Sequence, residues 1–284
     1  MNRLSITSAP LPAFEGADYY DLDATLRVME KLWNKAAVDT FEFQWLAEWD
    51  ETRPPRAEHT SGSRHQPWQE SYGYGVDSLA ETLLDSGVPI RSVHANRDVG
   101  IYLCGDAGEI EHGRQMIRDT LELAKRVGAS VTVFHAWNTY SEAFNPTKIE
   151  SILAEESARF SGILASVENV PTHLGSCTPA SLVENFDWIT LDTRWAAMYD
   201  ELSNFERLKE KIVNIHIRGH LSGTLWTLPD APYSFEEVIQ LVLQRWKYAD
   251  PLTLEPEGGV HEESWLDFLQ ALDWLKQVIE SHSR

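Results

Sequence analysis

Four residues with side chains suited to metal binding end four successive strand-like segments of the chain. Glu168 ends LASVE, Asp192 ends DWITLD, His216 lies in IVNIHIRG and Glu255 ends PLTLE. A carboxylate at the end of an apolar strand is unsuited to the hydrophobic core, because burying an unpaired charge costs free energy or forces protonation. Each such carboxylate needs a partner, and a metal ion is one candidate. Three carboxylates with one imidazole suit Mn²⁺, Mg²⁺ or Co²⁺ better than a thiolate-preferring ion, with Zn²⁺ as a further option.

The spacing of these four residues indicates a repeated strand and helix unit. They are separated by 24, 24 and 39 residues, which suits a strand, a helix and two loops and is too long for hairpins. Along the whole chain we predict eight strands that alternate with eight helices, and therefore one (β/α)8-barrel domain over residues 1–284. A doubly wound sheet is the alternative, but no GxGxxG or GxxxxGK follows any predicted strand.

Strand periodicity places the four residues on one wall of the predicted barrel. Successive side chains of a strand alternate between its faces, so each of the four shares a face with a small polar residue two positions earlier. These neighbours are Ser166, Thr190, Asn214 and Thr253. Glu42, His94 and His135 join the same barrel mouth from strands two to four, where catalytic groups of this fold lie. Either histidine binds the metal or hydrogen-bonds a neighbour or the substrate, and Glu42 orients a metal ligand or fills the barrel interior.

Two irregular segments are candidates for covering this mouth. Residues 46–75 are rich in Pro, Gly, Ser and His, and such a long patternless stretch is usually a functional lid or a disordered segment. Residues 219–233 form a second predicted loop. Tryptophans near the strand ends either stack on an apolar face of the substrate or pack in the core; these are Trp137, Trp195 and Trp226. Arg218 and Arg97 are candidates for a substrate phosphate or carboxylate, with solvation as the alternative for Arg97.

Composition narrows the classes of partner and the compartment. The formal net charge of -20 and the pI near 4.8 oppose binding to nucleic acid. Cys104 and Cys177 lie in no metal-finger pattern, which indicates reduced thiols. The N-terminal residues have no signal-peptide core, and no window reaches the roughly 20 apolar residues of a membrane helix. We therefore predict a cytoplasmic protein that contacts neither nucleic acid nor membrane.

Six motifs in order resemble one known superfamily. The runs SVHAN, VTVFHAW, SVENVP, ITLDT, VNIHIRG and LTLEPEGG are similar to those of the xylose-isomerase-like barrels, which include sugar and sugar-phosphate isomerases and epimerases and are similar in fold to endonuclease IV. The resemblance implies that Glu168, Asp192, His216 and Glu255 are the divalent-metal ligands. It also implies that Glu168 and Glu255 flank the substrate carbon as acid and base.

Two departures from the family pattern concern the substrate region. The family commonly has D-x-x-H on strand six, but Trp195 stands where the histidine would be. On strand seven the usual H-x-K-D becomes His216, Ile217, Arg218 and Gly219, so the acidic residue is lost. The predicted metal ligands are unaffected.

The resemblance and the residue types together predict a metal-dependent sugar isomerase or epimerase. A divalent ion could polarise a carbonyl and stabilise an enediolate while a glutamate removes the neighbouring proton. A hydro-lyase of the inosose dehydratase type would use the same chemistry. A non-catalytic barrel is also compatible with the sequence, whereas the charge and the missing strand-six histidine oppose a nuclease like endonuclease IV. The predicted partner is a small carbohydrate, and a homo-oligomer is a hypothesis.

Overall fold

A closed barrel of eight parallel strands organises the chain. The computed structural model describes residues 3–49, 73–228, 231 and 233–282. The strands are β1 (Leu4–Thr7), β2 (Thr40–Gln44), β3 (Ile90–His94), β4 (Val131–Phe134), β5 (Leu164–Glu168), β6 (Trp188–Asp192), β7 (Ile212–Ser222), β8 (Leu225–Thr227) and β9 (Leu252–Gly258). Strands β1 to β7 pair in chain order, and β9 pairs with both β7 and β1 to close the ring. The predicted (β/α)8 barrel is therefore confirmed.

Helices surround the barrel and connect its parallel strands. They are α1 (Leu22–Asn34), α2 (Val76–Ser86), α3 (Val99–Leu103), α4 (Ala107–Val127), α5 (Pro146–Ser157), α6 (Pro179–Val183), α7 (Thr193–Met198), α8 (Phe235–Gln240) and α9 (Trp265–His282). Local sequence fixes several helix starts: Asp106 with Glu109 forms a capping box for α4, and Ser234 with Glu237 forms one for α8. Such reciprocal bonds satisfy amide groups that have no partner inside the helix.

The barrel strands separate an apolar outer face from a polar interior. Side chains that face the helices are aliphatic or aromatic and completely buried, such as Phe41, Val167 and Ile215. Most interior side chains are small or polar and also buried, and they include Ser5, Thr7, Glu42, Ser92, Ser166, Thr190, Asn214 and Thr253. Val131, Val133 and Val213 form a small apolar group apart from the main core. Because a buried polar group needs a partner, this interior is a framework that can hold charged side chains at its upper end.

The connections after β6 and β7 differ from the prediction. The sequence predicts a helix near residues 200–209, but this stretch is a 3-10 helix, Leu202–Lys211, and the α-helix α7 begins directly after Asp192. The Asp192 side chain accepts hydrogen bonds from the first amides of α7, which starts the helix early. The predicted loop 219–233 is also wrong in its first part, because β7 runs on to Ser222 and turns through Gly223 into β8.

The predicted lid falls largely outside the described residues. Of residues 46–75, the structure describes 46–49 and 73–75, and residues 50–72 lie outside it. The lid, and the assignment of residues 1–284 to one domain, stay predictions. Among the helices of residues 3–49, 73–228 and 233–282, none combines the length and the apolar character needed to span a membrane.

A buried carboxylate ties α5 to α4 and gives a stability prediction. Glu156 is fully buried, and its oxygens lie 2.8 Å from Arg114, 3.1 Å from Arg118 and 2.9 Å from Arg159. We expect Glu156→Gln to lower the free energy of unfolding by about 2 kcal/mol, because three guanidinium groups lose their shared anion. The loss is not larger because the three arginine side chains are partly exposed to solvent. Urea unfolding measures this change.

The matched control for Glu156 is its neighbour Glu155. Its carboxylate is largely exposed and pairs with Arg114 at 2.7 Å. Glu155→Gln should change the free energy of unfolding by less than about 1 kcal/mol. Equal effects of the two substitutions would contradict the assignment of Glu156 as the structural anion between these helices.

Candidate metal centre at the barrel mouth

The four predicted ligands lie together at the C-terminal ends of neighbouring strands. Glu168 ends β5, Asp192 ends β6, and His216 pairs with Asp192 across the β6 and β7 ladder. All three side chains are fully buried, and Glu255 on β9 is slightly exposed. Parallel strands present their carboxyl ends at one rim, so the barrel gathers residues that are distant in sequence.

One oxygen of Glu168 is held by two histidines and the other is not. His94 Nε2 lies 3.2 Å and His135 Nε2 3.1 Å from Oε2 of Glu168. Its Oε1 is buried and has no hydrogen-bond partner among the described residues. Burial alone would raise the pKa of Glu168, but the facing histidines, His135 foremost, outweigh it and hold the pKa well below the usual value. Glu168 is therefore ionised at neutral pH, with Oε1 available.

The pKa values of the two histidines that hold Glu168 are shifted in opposite directions. His94 Nδ1 lies 2.9 Å from the carbonyl oxygen of Ala95 while Nε2 faces Glu168, so both ring nitrogens meet acceptors, as an imidazolium requires. Burial opposes the charge, but Glu168 and Glu42 outweigh it and raise the pKa of His94. Burial dominates at His135 and lowers its pKa. Both residues thus reach the site predicted for them as hydrogen-bond partners of Glu168.

Glu42 orients the His216 ring from below the cluster. Nε2 of His216 lies 2.9 Å from Oε1 of Glu42, while Oε2 of Glu42 accepts hydrogen bonds from Ser92 at 2.8 Å and Asn214 at 2.9 Å. The other ring nitrogen, Nδ1, is buried without a hydrogen bond among the described residues and points at the site, 3.4 Å from Oε2 of Glu255. A carboxylate behind a histidine in this way fixes the ring and its tautomer for a metal.

The pairing of His216 with Glu42 predicts an alkaline titration in the metal-free protein. Burial would lower the pKa of His216, but the Glu42 and Glu168 carboxylates outweigh it and raise the pKa to about 10. Because this pKa exceeds that of a free histidine, the pair stabilises the fold fully below about pH 6.5 and loses that contribution as the pH rises to about 10. We expect the NMR resonance of the His216 ring to titrate near pH 10, and Glu42→Gln to move the midpoint to lower pH.

A matched control for this titration is Glu48→Gln. Glu48 is also buried, but its Oε1 contacts Arg97 at 3.0 Å and the Tyr19 hydroxyl at 2.5 Å. This substitution should leave the His216 midpoint in place. An unchanged midpoint in Glu42→Gln would instead show that Glu42 does not set the charge of the ring.

Hydrogen bonds fix both the side chain and the backbone of Asp192. Its Oδ1 accepts hydrogen bonds from the amides of Arg194 at 2.8 Å and Trp195 at 3.0 Å. The side chain of Asn169, also fully buried, bonds to both the amide and the carbonyl of Asp192, at 2.6 and 3.1 Å. Burial raises the pKa of Asp192 to about 7. The negative charges of Glu168 and Glu255 also raise this pKa, whereas the positive charge of Arg218 lowers it. Ionisation of this carboxyl is therefore favoured by a nearby cation.

These residues fit a divalent ion. Ligand atoms of Glu168, Asp192 and His216 all lie within 4.8 Å of one another. Three buried atoms of the cluster, Glu168 Oε1, His216 Nδ1 and Glu255 Oε2, have no hydrogen-bond partner among the described residues. Since buried polar atoms without partners are rare, their convergence is what a cation site requires. His94, His135 and Glu168 form an adjoining group with the same 4.8 Å spread.

Arg218 lies among the predicted metal ligands, and Trp195 packs on it. The guanidinium of Arg218 pairs with Asp192 and lies 3.2 Å from Glu255. The ring of Trp195 packs on this guanidinium, whose carbon is 4.5 Å from the ring centroid. Trp195, one departure from the family pattern, thus contacts Arg218, which precedes the other departure, Gly219. No sequence pattern indicates this pairing, since Arg218 lies on β7 and Trp195 on α7.

Two of the predicted tryptophan contacts lie away from the ligand cluster. Trp137 is buried, donates its indole N–H to the carbonyl of Pro171 at 3.0 Å and stacks on Phe144, so it packs the loops after β4 and β5. Trp226 is buried against Phe235 and bonds to the backbone of α9. Sugar stacking by these two indoles does not fit such placement, because their rings are enclosed by protein.

The missing acidic residue after His216 has a steric explanation. A Cβ atom at Gly219 would lie 3.0 Å from the rings of both Phe235 and Trp226, which is closer than ordinary contact. An aspartate at this position would therefore require these rings to shift by a few tenths of an ångström. The β7 to β8 hairpin that brings Trp226 here replaces the loop predicted from sequence.

A cavity of about 350 Å³ opens above the cluster. Its floor is formed by His94, His135, Arg218 and Glu255, and its wall includes Tyr19, Trp45, Glu48 and Arg97. This volume falls in the range of small-molecule sites. Sequence reasoning missed Tyr19 and Glu48 as site residues; they lie in turn or 3-10 segments without periodicity, and only the fold brings them to the mouth.

Comparison with known proteins bears on the fold. No protein-family model and no curated protein matches the chain. Several solved structures match the chain. One is an L-ribulose 3-epimerase with 17% sequence identity and a TM-score of 0.67, and the match covers 99% of this chain and 96% of the epimerase. A D-allulose 3-epimerase from Methylomonas sp. has 14% identity and a TM-score of 0.62, covering 98% and 99%. A family 2 AP endonuclease from Brucella melitensis has 15% identity and a TM-score of 0.62, covering 98% and 99%. The chain therefore has the (β/α)8-barrel fold shared by these sugar epimerases and this endonuclease, as the xylose-isomerase-like resemblance predicted.

Proposed function

We propose that the protein is a divalent-metal-dependent epimerase or isomerase of an unphosphorylated sugar. The observation that carries the proposal is a group of three buried ligand atoms, on Glu168, His216 and Glu255, that have no hydrogen bond among the described residues. They lie at the strand ends beside a small-molecule cavity that Glu255 lines together with His94, His135 and Arg218. The similarity of the whole fold to 3-epimerases of L-ribulose and D-allulose supports it. The substrate class is inferred from the site, because a fold hosts many functions.

Glu168, Asp192, His216 and Glu255 would hold the ion, with Glu42 and Asn169 orienting two of them. An ion of the Mn²⁺, Mg²⁺, Co²⁺ or Zn²⁺ type would polarise the sugar carbonyl and so acidify the neighbouring C–H bond. Oxygen-rich ligands favour the first three ions over zinc. The protein's own contribution is to keep this charged cluster rigid through the hydrogen bonds of Asp192 and Glu168.

The two glutamates have the contacts expected of a base and an acid. Glu168 is ionised with Oε1 unbonded among the described residues, so it can take the proton from the carbon next to the carbonyl while the C–H electrons move toward the carbonyl oxygen. Glu255 would act as the acid that returns a proton to the opposite face of that carbon, which inverts it. Glu255 lines the open cavity, so solvent can reach it. Return of the proton to the neighbouring carbon would give isomerisation.

The charges of the cavity favour a neutral sugar over a sugar phosphate. Three arginines at the mouth already contact carboxylates: Arg97 contacts Glu48 at 3.0 Å, Arg194 pairs with Glu257, and Arg218 pairs with Asp192. A phosphate would have to compete with these carboxylates and approach an acidic surface. Hydroxyl groups of a neutral sugar carry no such penalty.

The same charges weigh against a nuclease, although an AP endonuclease shares the fold. A phosphodiester would approach a chain with a net charge of -20, which repels polyanions. The expected absence of nucleic-acid binding, the cytoplasmic location and the homo-oligomer stay predictions from sequence. A dehydratase would need the same proton abstraction, so the products of the reaction separate it from an epimerase.

The test is solvent hydrogen exchange into sugars. Protein freed of metal by chelator and reloaded with Mn²⁺, Mg²⁺ or Co²⁺ is incubated in D₂O with ketopentoses and ketohexoses, and the products are identified by NMR. We expect deuterium at the carbon next to the carbonyl together with the epimer. Loss of a β-hydroxyl would identify a dehydratase instead. Metal-loaded protein that exchanges no hydrogen in any of these sugars would contradict the proposal.

A further inference from the structure

The guanidinium of Arg218 contacts the very oxygens that a metal ion would need. Its Nη2 atom lies 3.2 Å from Oε2 of Glu255 and 3.6 Å from Oε1 of Glu168. Both oxygens are among the buried atoms that lack a hydrogen bond within the described residues. Its Nε atom pairs with Oδ2 of Asp192. The side chain of Arg218 therefore contacts three of the four predicted ligands.

The position of Arg218 is held by more than these carboxylates. Trp195 supplies an aromatic face 4.5 Å from the guanidinium carbon, and Glu257 lies 3.4 Å from Nη1. An arginine stays protonated at any pH at which the protein is folded, and its planar group binds carboxylates and aromatic faces at once. Trp195 itself is fixed because its amide bonds to Asp192. The guanidinium is thus a permanent positive charge seated among the ligands.

We propose that Arg218, supported by Trp195, is a built-in counterion that competes with the divalent metal for Glu168, Asp192 and Glu255, so that metal binding requires the guanidinium to leave this cluster. Two cations cannot share the same three carboxylates without strong mutual repulsion. The cluster stays stable without metal because Arg218 neutralises part of its negative charge. The consequence is a site that binds metal more weakly than its ligand set alone would allow. This inference rests on the ligand set of the proposed function.

Removing the guanidinium should therefore tighten metal binding. We expect Arg218→Met to lower the dissociation constant for Mn²⁺ at least about tenfold, since one opposite charge at this range alters carboxylate equilibria by that factor or more. Trp195→Ala leaves the ligands and Arg218 in place but removes the aromatic support, and should tighten binding about threefold. Titration of chelator-treated protein with Mn²⁺, followed by calorimetry and by the EPR signal of free Mn²⁺, measures both constants.

Arg194→Met is the matched control. Arg194 pairs with Glu257 and lies 5.8 Å from the Trp195 ring, and its side chain makes no ion pair with a predicted ligand among the described residues. It should leave the Mn²⁺ dissociation constant within about twofold, because exposed pairs are weak. Tighter binding in Arg194→Met by the same factor as in Arg218→Met would overturn the inference, since any lost positive charge would then suffice.

The outcomes for Arg218 and for the proposed activity are separable. Unchanged or weaker Mn²⁺ binding by Arg218→Met overturns the inference even if the parent protein exchanges sugar hydrogens. Tighter binding supports it even if no sugar is turned over. If Arg218→Met does not fold, Trp195→Ala decides by the same criterion. Absence of Mn²⁺ binding in the parent and in both variants overturns the inference and the proposed metal site together.

Discussion

Glu168→Gln is expected to abolish hydrogen exchange between solvent and sugar. The amide has the size of the carboxylate but cannot accept a proton from carbon, and it weakens a ligand that lies in both candidate metal groups. General base catalysis alone typically contributes 10²–10⁴-fold, so we expect the exchange rate to fall by at least about 1,000-fold. NMR of the sugar in D₂O at saturating Mn²⁺ measures the rate, and the metal content of the same sample is determined alongside.

The matched control for this substitution is Glu156→Gln. Glu156 is equally buried and also contacts several cationic side chains, but it ties α5 to α4 in the helical layer outside the barrel. It should lower stability and leave the exchange rate per folded molecule within about twofold, because its partners are structural. Exchange in Glu168→Gln within about tenfold of the parent would rule out Glu168 as the base.

Asp192→Asn is expected to remove metal binding while leaving the fold in place. An asparagine keeps an oxygen that can accept the amides of Arg194 and Trp195, so the start of α7 survives. The negative charge opposite the ion is lost. Because outer partners of metal ligands already contribute 10–100-fold, we expect loss of a ligand itself to weaken Mn²⁺ binding at least about 100-fold.

Two measurements check the Asp192 prediction. Calorimetric titration with Mn²⁺ gives the affinity, and urea unfolding of the metal-free protein tests whether the fold is retained. Asn169→Ala serves as a comparison, because it removes the two hydrogen bonds that hold the Asp192 backbone but leaves the carboxylate. It should weaken metal binding about tenfold. Asp192→Asn with parental affinity would mean that Asp192 is only a helix cap and a partner of Arg218.

The barrel and the position of the candidate metal ligands at its mouth could be predicted from the sequence because both depend on local patterns. A strand is recognised by alternating polar and apolar residues, and a βα unit by the spacing between successive strands. Because parallel strands present their carboxyl ends at one rim, Glu168, Asp192 and His216 are expected to lie together. The same reasoning predicts Glu255 on this wall, and it lies 3.4 Å from His216. The polar interior follows from the small residues that share faces with these ligands.

Contacts between side chains on different elements were decided only by the tertiary structure. The pairing of Arg218 with Trp195, the hold of His94 and His135 on one oxygen of Glu168, and the support of Asp192 by Asn169 depend on distances across the barrel mouth. No periodicity encodes such distances. The β8 hairpin escaped prediction for a similar reason: its three residues are too few for a pattern, and it is stabilised by the burial of Trp226 against α9. The sequence thus determined which strand-end residues lie at the barrel mouth. The closed barrel decided which side chains contact each other there, and which ligand atoms have no hydrogen bond among the described residues.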